Sequence, residues 1–142
     1  MQNDKKFNSK KKLLLIVGKP GCGKSKLLEN YSKSKGIPVL NLDQILGKKI
    51  PDGKDESYVY GFMDGFLAVY SQDEILLDKK AILYEEGTNI DLLPFLKKLS
   101  ESKRLVATFS GYIENDKLYH LRSNEVDKEY DIDDSFEYIE LK

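Results

Sequence analysis

Residues 13–28 read LLLIVGKPGCGKSKLL. Leu13–Val17 is apolar at every position, the pattern of a strand buried on both faces by helix layers, as in parallel sheets. Such a strand commits the chain to an α/β architecture. The run breaks at Gly18, and a helical pattern resumes at Lys24. The eight residues between strand and helical pattern, Gly18-Lys19-Pro20-Gly21-Cys22-Gly23-Lys24-Ser25, fit G-x-x-x-x-G-K-[ST] at every fixed position. They also stand where the mechanism of that motif requires, after a strand and before a helix.

A loop with so little side chain offers its ligand backbone N–H groups, which can curl around a phosphate where bulkier residues would block the approach. The helix beginning at Lys24 turns its positive end toward the same anion. In this reading Lys24 reaches the β- and γ-phosphates and Ser25 offers its hydroxyl to Mg²⁺. The ligand is therefore a nucleoside triphosphate, ATP or GTP, with Mg²⁺. Cys22 is the sole cysteine. Beside Lys24 and a helix start it has the surroundings that favour a thiolate, though a small tolerated residue is the simpler account.

The remainder of the chain fits one domain around that strand. The 142 residues allow a single core, and 40% hydrophobic with 33% charged residues suits a globular protein. Residues 1–11 read as a flexible basic start and 12–142 as the domain. No apolar run reaches the roughly 20 residues of a membrane span, and the five apolar residues behind the N-terminal lysines are too few for a signal peptide. With one cysteine the default location is cytoplasmic. Net charge is −1, but residues 1–12 carry five lysines and residues 125–142 eight acids. The short basic arm gives nucleic-acid contact only weak support.

Further along, Lys24 to about Lys35 reads as a helix stopped by Gly36, Val39–Leu42 as a short strand, and 47–57 as a loop. Tyr58 to about Ser71 reads as a helix whose Tyr58, Phe62, Phe66 and Tyr70 stack on one face and pack against the sheet. EILLD (74–78) and AILYEE (81–86) read as strands. Asp91 to about Ser100 reads as a helix capped by Asn89 or Asp91. Arg104–Phe109 is another buried strand, GYIENDKLYHLR (111–122) a hairpin turning at Asn115–Asp116, and Phe136–Leu141 a last strand. The alternation argues for a three-layer, mostly parallel sheet with a C-terminal hairpin and edge strand added antiparallel at one edge.

A triphosphate site of this kind also needs an acid, delivered from a strand running beside the loop's own strand, to hold Mg²⁺ through water. Asp78 at the end of EILLD and Glu85 or Glu86 at the end of AILYEE both qualify, and spacing leaves the choice open. Thr108 and Ser110 close a buried strand, where a γ-phosphate sensor or an ordinary strand end would sit. His120, the sole histidine, reads as a surface residue of the hairpin. Arg104 and Arg122 are the only arginines, few for a kinase that neutralises a transferring phosphoryl group. A small-molecule kinase using loop 47–57 is nonetheless the alternative function.

The order of the glycine loop, LLD, AILYEE, LLPFLKKLSESKRLVATFSG and GYIENDKLYH resembles the BrxF family, the small P-loop proteins of BREX phage-defence systems, chiefly type 3. The similarity covers most of residues 12–142, and its sharp element is the glycine loop. It implies a P-loop NTPase fold and nucleotide binding, with slow hydrolysis or switching inside a multi-protein defence complex. It also implies that Asp78 is the metal-side acid and that Lys24 and Asp78 carry the catalysis. The chain departs from the family at Lys79, directly after that aspartate. This departure implies slow turnover without a partner.

Overall fold

The computed structural model describes residues 7, 11–46, 56–80, 83 and 90–142. In chain order the elements are β1 (Leu13–Gly18), α1 (Lys24–Lys35), β2 (Val39–Asn41), α2 (Leu42–Leu46), α3 (Glu56–Val69), β3 (Glu74–Asp78), α4 (Leu92–Leu99), β4 (Arg104–Glu114), β5 (Lys117–Arg122), β6 (Glu125–Asp131) and β7 (Glu137–Glu140).

Five strands form a parallel sheet in the order β2-β3-β4-β1-β7. β1 lies inside it, and all five residues Leu13–Val17 are fully buried. Alternate side chains serve opposite faces. Leu13, Leu15 and Val17 join Leu77, Ala107 and the apolar residues of α2, α3 and α4. Leu14 and Ile16 join Leu76, Val106 and Ile139 beneath Leu28 and Tyr31 of α1. At about 1.5–3 kcal/mol for each buried aliphatic side chain, this strand is the centre of the core. The result is a mostly parallel sheet between helices on both faces, the architecture expected from the buried-strand pattern.

Several elements differ from the sequence expectations. EILLD does not run beside β1. β4 lies between them, pairing Leu13–Gly18 with Leu105–Ser110 on one side and Glu74–Leu77 with Arg104–Ala107 on the other. Both strands have the same apolar, buried middle (Ile75–Leu77 and Leu105–Ala107), so their order in the sheet leaves no local mark. Leu42 belongs to α2 rather than β2, because the Asn41 side chain accepts the Gln44 N–H (3.0 Å) and starts a helix there. On α3 the buried stripe is Val59, Met63 and Leu67; Phe62, Phe66 and Tyr70 lie half-buried beside it. AILYEE lies almost wholly outside the described residues. Its Leu83 is in a tight turn, its N–H donating to the Lys80 carbonyl at 3.0 Å.

The antiparallel addition grows from the end of an interior strand, not from a sheet edge. β4 outlasts the sheet, and Gly111–Glu114 pair with Lys117–His120 of β5. The expected turn is at Asn115–Asp116, with φ 52° and 62°, the left-handed pair of a type I′ hairpin. A second such turn at Ser123–Asn124, φ 52° and 65°, leads to β6, which the sequence reading missed. Five of its seven side chains are acidic or lysine, and nearly all are exposed, so it carries no apolar alternation. Those charges blunt the open edge of the meander. β7, one of the two edge strands of the parallel sheet with β2, pairs parallel with β1.

Of residues 1–11, Phe7 is buried and stacks on Tyr31 with ring centroids 4.2 Å apart. Lys11 accepts the Arg104 Nε–H on its carbonyl at 3.1 Å. Among the described residues no helix is long and apolar enough to cross a membrane.

Candidate functional site

The carboxyl ends of β1, β3 and β4 meet the glycine loop on one side and the β4–β5 meander on the other. Gly21 and Gly23 hold φ of 83° and 99°, a region that side chains with a Cβ rarely enter. This lets the loop double back, with the Cys22 N–H donating to the Lys19 carbonyl (3.2 Å). Lys24 folds over the loop and donates from Nζ to the same carbonyl at 3.0 Å. Burial pulls its ammonium below the usual 10.5, offset in part by Asp78. α1 has no acid in its first turn and no side chain capping its start, so its leading N–H groups face the loop without a protein anion.

Asp78 is the best-held carboxylate of the site. Its Oδ1 accepts from Thr108 Oγ1 (2.6 Å) and from the Lys79 N–H (2.9 Å), and Ser25 lines the same cavity. Burial pushes this carboxyl up. The bonds from Thr108 and Lys79, the nearby Ser25 hydroxyl and the Lys80 charge outweigh that and hold it below 3.8. Lys79 takes φ 54°, costly for a residue with a Cβ. Its N–H to Asp78 and its carbonyl, which accepts the Asp43 N–H at 2.9 Å, lock that bend.

Behind the acid lies Lys80, only 8% exposed. Its Nζ donates to Thr108 Oγ1 at 2.9 Å, so one hydroxyl accepts from an ammonium and donates to a carboxylate. Burial pulls Lys80 down to about 8, against the raising effect of Asp78 and Asp43. Lys24, Ser25, Asp43, Asp78, Lys79, Lys80, Thr108 and Ser110 share a cavity of about 320 Å³ with Pro20, Gly21, His120 and Leu121. Its wall holds three lysines against two aspartates, a surplus of positive charge suited to an anion.

A second cavity, about 600 Å³, opens on the other side of the loop. Lys19 and Cys22 belong to its wall, with Tyr112, Glu140 and Leu141. Tyr112 stacks on Tyr119 at 5.0 Å, and Lys19 Nζ lies 5.5 Å from its ring centre.

No family model, curated protein or solved structure matches the chain.

The residues singled out in the sequence thus divide. Lys24, Ser25 and Asp78 converge, with Thr108 and Ser110 beside them. Gly18 ends β1 and Gly23 precedes α1. Glu85 and Glu86 lie outside the described residues. Arg104 is at the opposite end of β4, bonded to Glu74, which removes it from the site. His120 is not a surface residue: it is 1% exposed and lines the smaller cavity. Its Nδ1 meets Asp127 Oδ2 at 3.2 Å, and its ring meets Phe109 edge-on at 5.2 Å. Hairpin position alone gave no sign of this, because burial comes from the meander folding back over the sheet. Lys80 and Asp43 were also missed. The only cue for Lys80 was a second lysine after the acid, and nothing marked Asp43.

Proposed function

We propose that this chain is a Mg²⁺-dependent, nucleoside-triphosphate-binding protein of the P-loop class, with ATP the expected nucleotide, which hydrolyses it slowly and acts within a multi-protein phage-defence assembly. The observation carrying this reading is that Ser25 and Asp78 line one cavity together with Lys24. Two residues far apart in sequence, each assigned to the metal on separate grounds, meet in one cavity at the mouth of a glycine loop. The strand order supports it further. A strand inserted between the loop's strand and the acid's strand is what defines the additional-strand class of P-loop ATPases, and β4 occupies that place.

The donor set suits Mg²⁺. Among the described residues no cluster of three His, Cys, Asp or Glu forms a cage. One hydroxyl and one carboxylate are what the protein supplies to this ion when phosphate and water complete its shell. Ser25 and Asp78 would hold it, and bound there it would neutralise charge on the phosphates. Backbone N–H groups of Gly21 and 23–25, with Lys24, would bind the β- and γ-phosphates. Base and ribose would extend into the larger cavity, where Tyr112 offers a ring. Arg104 is committed elsewhere, which supports slow turnover in isolation. An arginine supplied by a partner can be worth about 10³–10⁵ in rate. The defence assembly follows from the family resemblance.

Calorimetry with MgATP and MgGTP tests the reading. Wild type should bind at least one of them, and Lys24→Ala should weaken it about 100-fold, as expected for a charge-assisted contact of roughly 3 kcal/mol. Circular dichroism should show the fold intact. Equal affinity in wild type and variant would refute the assignment.

A further inference from the structure

Among the described residues Lys80 is the only lysine, arginine, aspartate or glutamate that is buried. Such groups go inside almost only when partners satisfy them. The Lys80 ammonium has three N–H donors, yet among the described residues it makes one hydrogen bond, to Thr108 Oγ1 at 2.9 Å. It does not bond to Asp78. The hydroxyl stands between them and donates to the carboxylate at 2.6 Å. A lysine that served only to balance Asp78 would meet it directly, as Arg104 meets Glu74 at the other end of the same strands. We propose that the unused donors of Lys80 receive the terminal phosphate of the bound nucleotide, which makes Lys80 the residue that selects a triphosphate over a diphosphate; the inference rests on the nucleotide reading above.

The backbone fixes Lys80 on both sides. Before it, the bend at Lys79 (φ 54°) is held by the Lys79 N–H to Asp78 and by the Asp43 N–H to the Lys79 carbonyl. After it, the Leu83 N–H donates to the Lys80 carbonyl at 3.0 Å. Thr108 follows Val106 by two residues on β4, so both lie on the sheet face that α1 covers. Nζ of Lys80 is therefore on the face of the sheet where α1 begins with Lys24 and Ser25. These residues, with Asp78, line one cavity of about 320 Å³. Lys24 and Lys80 repel each other there, and an anion between them would turn that repulsion into attraction.

The two cavities set the order of the phosphates. The larger one opens at Lys19 and Cys22 on the other side of the loop and would take base and ribose. From there the phosphates pass the loop N–H groups and end in the smaller cavity, where β3 and β4 finish. A diphosphate stops at the loop and Lys24. A third phosphate extends to the strand ends, where Lys80 and Thr108 lie. An ammonium is a point charge that suits a phosphate oxygen, and the buried setting strengthens the contact relative to one in water.

Calorimetry on the full chain, with Mg²⁺ and either a non-hydrolysable ATP analogue or ADP, tests this. Wild type should bind the analogue at least about 10-fold more tightly than ADP. Lys80→Met keeps the apolar stem and removes the charge. It should weaken the analogue about 30-fold, the worth of a charge-assisted hydrogen bond, and ADP by no more than about threefold. Lys80→Gln, which keeps a donor for Thr108, should lose the same preference, and it serves where circular dichroism shows the Met variant unfolded. Equal affinity of wild type for analogue and ADP would overturn the proposal, whatever the variants do. So would a folded variant that weakens both nucleotides alike, the mark of a structural role, or one that weakens neither. Wild type that binds neither nucleotide would overturn the parent reading as well, and the wild-type titration alone separates that result from the others.

Discussion

Strands β3 and β4 carry a polar bridge at each end, and the two bridges differ in what they leave open. At the amino end Glu74 faces Arg104 in register. The carboxylate takes an ion pair from Arg104 and the Tyr31 hydroxyl at 2.6 Å, and Arg104 also bonds the Lys11 carbonyl. Protein surrounds the cluster, although the buried Arg104 Nη2 has no hydrogen-bond partner among the described residues, and Tyr31 is pushed up to about 12 by burial and by Glu74. Four residues along, Asp78 is joined to Thr108 and through it to Lys80, but these groups face a cavity. Both ends tie an acid of β3 to β4, directly to Arg104 at one and through the Thr108 hydroxyl, which also takes Lys80, at the other. At one end the charges are spent on each other, which holds the sheet to α1. At the other they are held apart by a hydroxyl and remain available to a ligand.

If that contrast is right, the largest effect on stability should come from the closed end. Arg104→Met leaves Glu74 partly buried without its cation, and both side chains are at most 16% exposed. Breaking such a pair costs roughly 3 kcal/mol, a fall in Tm of about 10 °C for a chain of this length. Nucleotide affinity should stay within about twofold, since distant sites act independently. Denaturant melts and calorimetry on one preparation decide this, and a matching loss of affinity would mean the two ends are not separate devices.

Next in size is Asp78→Asn. Loss of one charged acceptor should weaken Mg²⁺-dependent nucleotide binding about 10- to 30-fold, near 2 kcal/mol, with a smaller effect on folding. Glu85→Gln should leave binding unchanged. The reverse ranking in a magnesium titration would transfer the metal to the AILYEE segment.

A third, smaller effect is expected for Thr108→Val. The shape is kept, but Asp78 and Lys80 lose their common partner, at a cost of about 1–2 kcal/mol to stability and some affinity for the nucleotide. Unchanged melting would show that the hydroxyl is not what holds the open bridge together.

The smallest effect is one of pH. Burial lowers the folded pKa of His120 below 6.5, so stability from this residue is present above the unfolded pKa and is lost as pH falls through the folded one. Wild type should therefore lose more melting temperature than His120→Asn between about pH 7.5 and about pH 5.5. Parallel curves for the two proteins would place the acid sensitivity elsewhere.

Much of this was legible locally. Strand β1, the glycine loop and α1 follow from a strict apolar run, a motif whose glycines adopt the left-handed backbone, and a stop at Gly36, which has φ 70°. The Asn115–Asp116 turn follows from residues that tolerate positive φ. Those signals are local because each lies within the few residues whose backbone it sets. β6 was not legible, since an exposed strand on a meander has no buried face to impose a period of two.

By itself, then, the sequence determined an α/β chain with a glycine-rich loop between a buried central strand and a helix, because backbone conformation and two-sided burial are written into consecutive residues. Tertiary structure decided the order of the strands, which put β4 between Asp78's strand and the loop and brought Thr108 between Asp78 and Lys80. It also decided that His120 is buried over the same cavity and that Arg104 is not near it. Those outcomes depend on which apolar surfaces pack together and on where an interior strand runs past its sheet. Both are properties of surfaces assembled from distant segments, and no spacing along the chain encodes them.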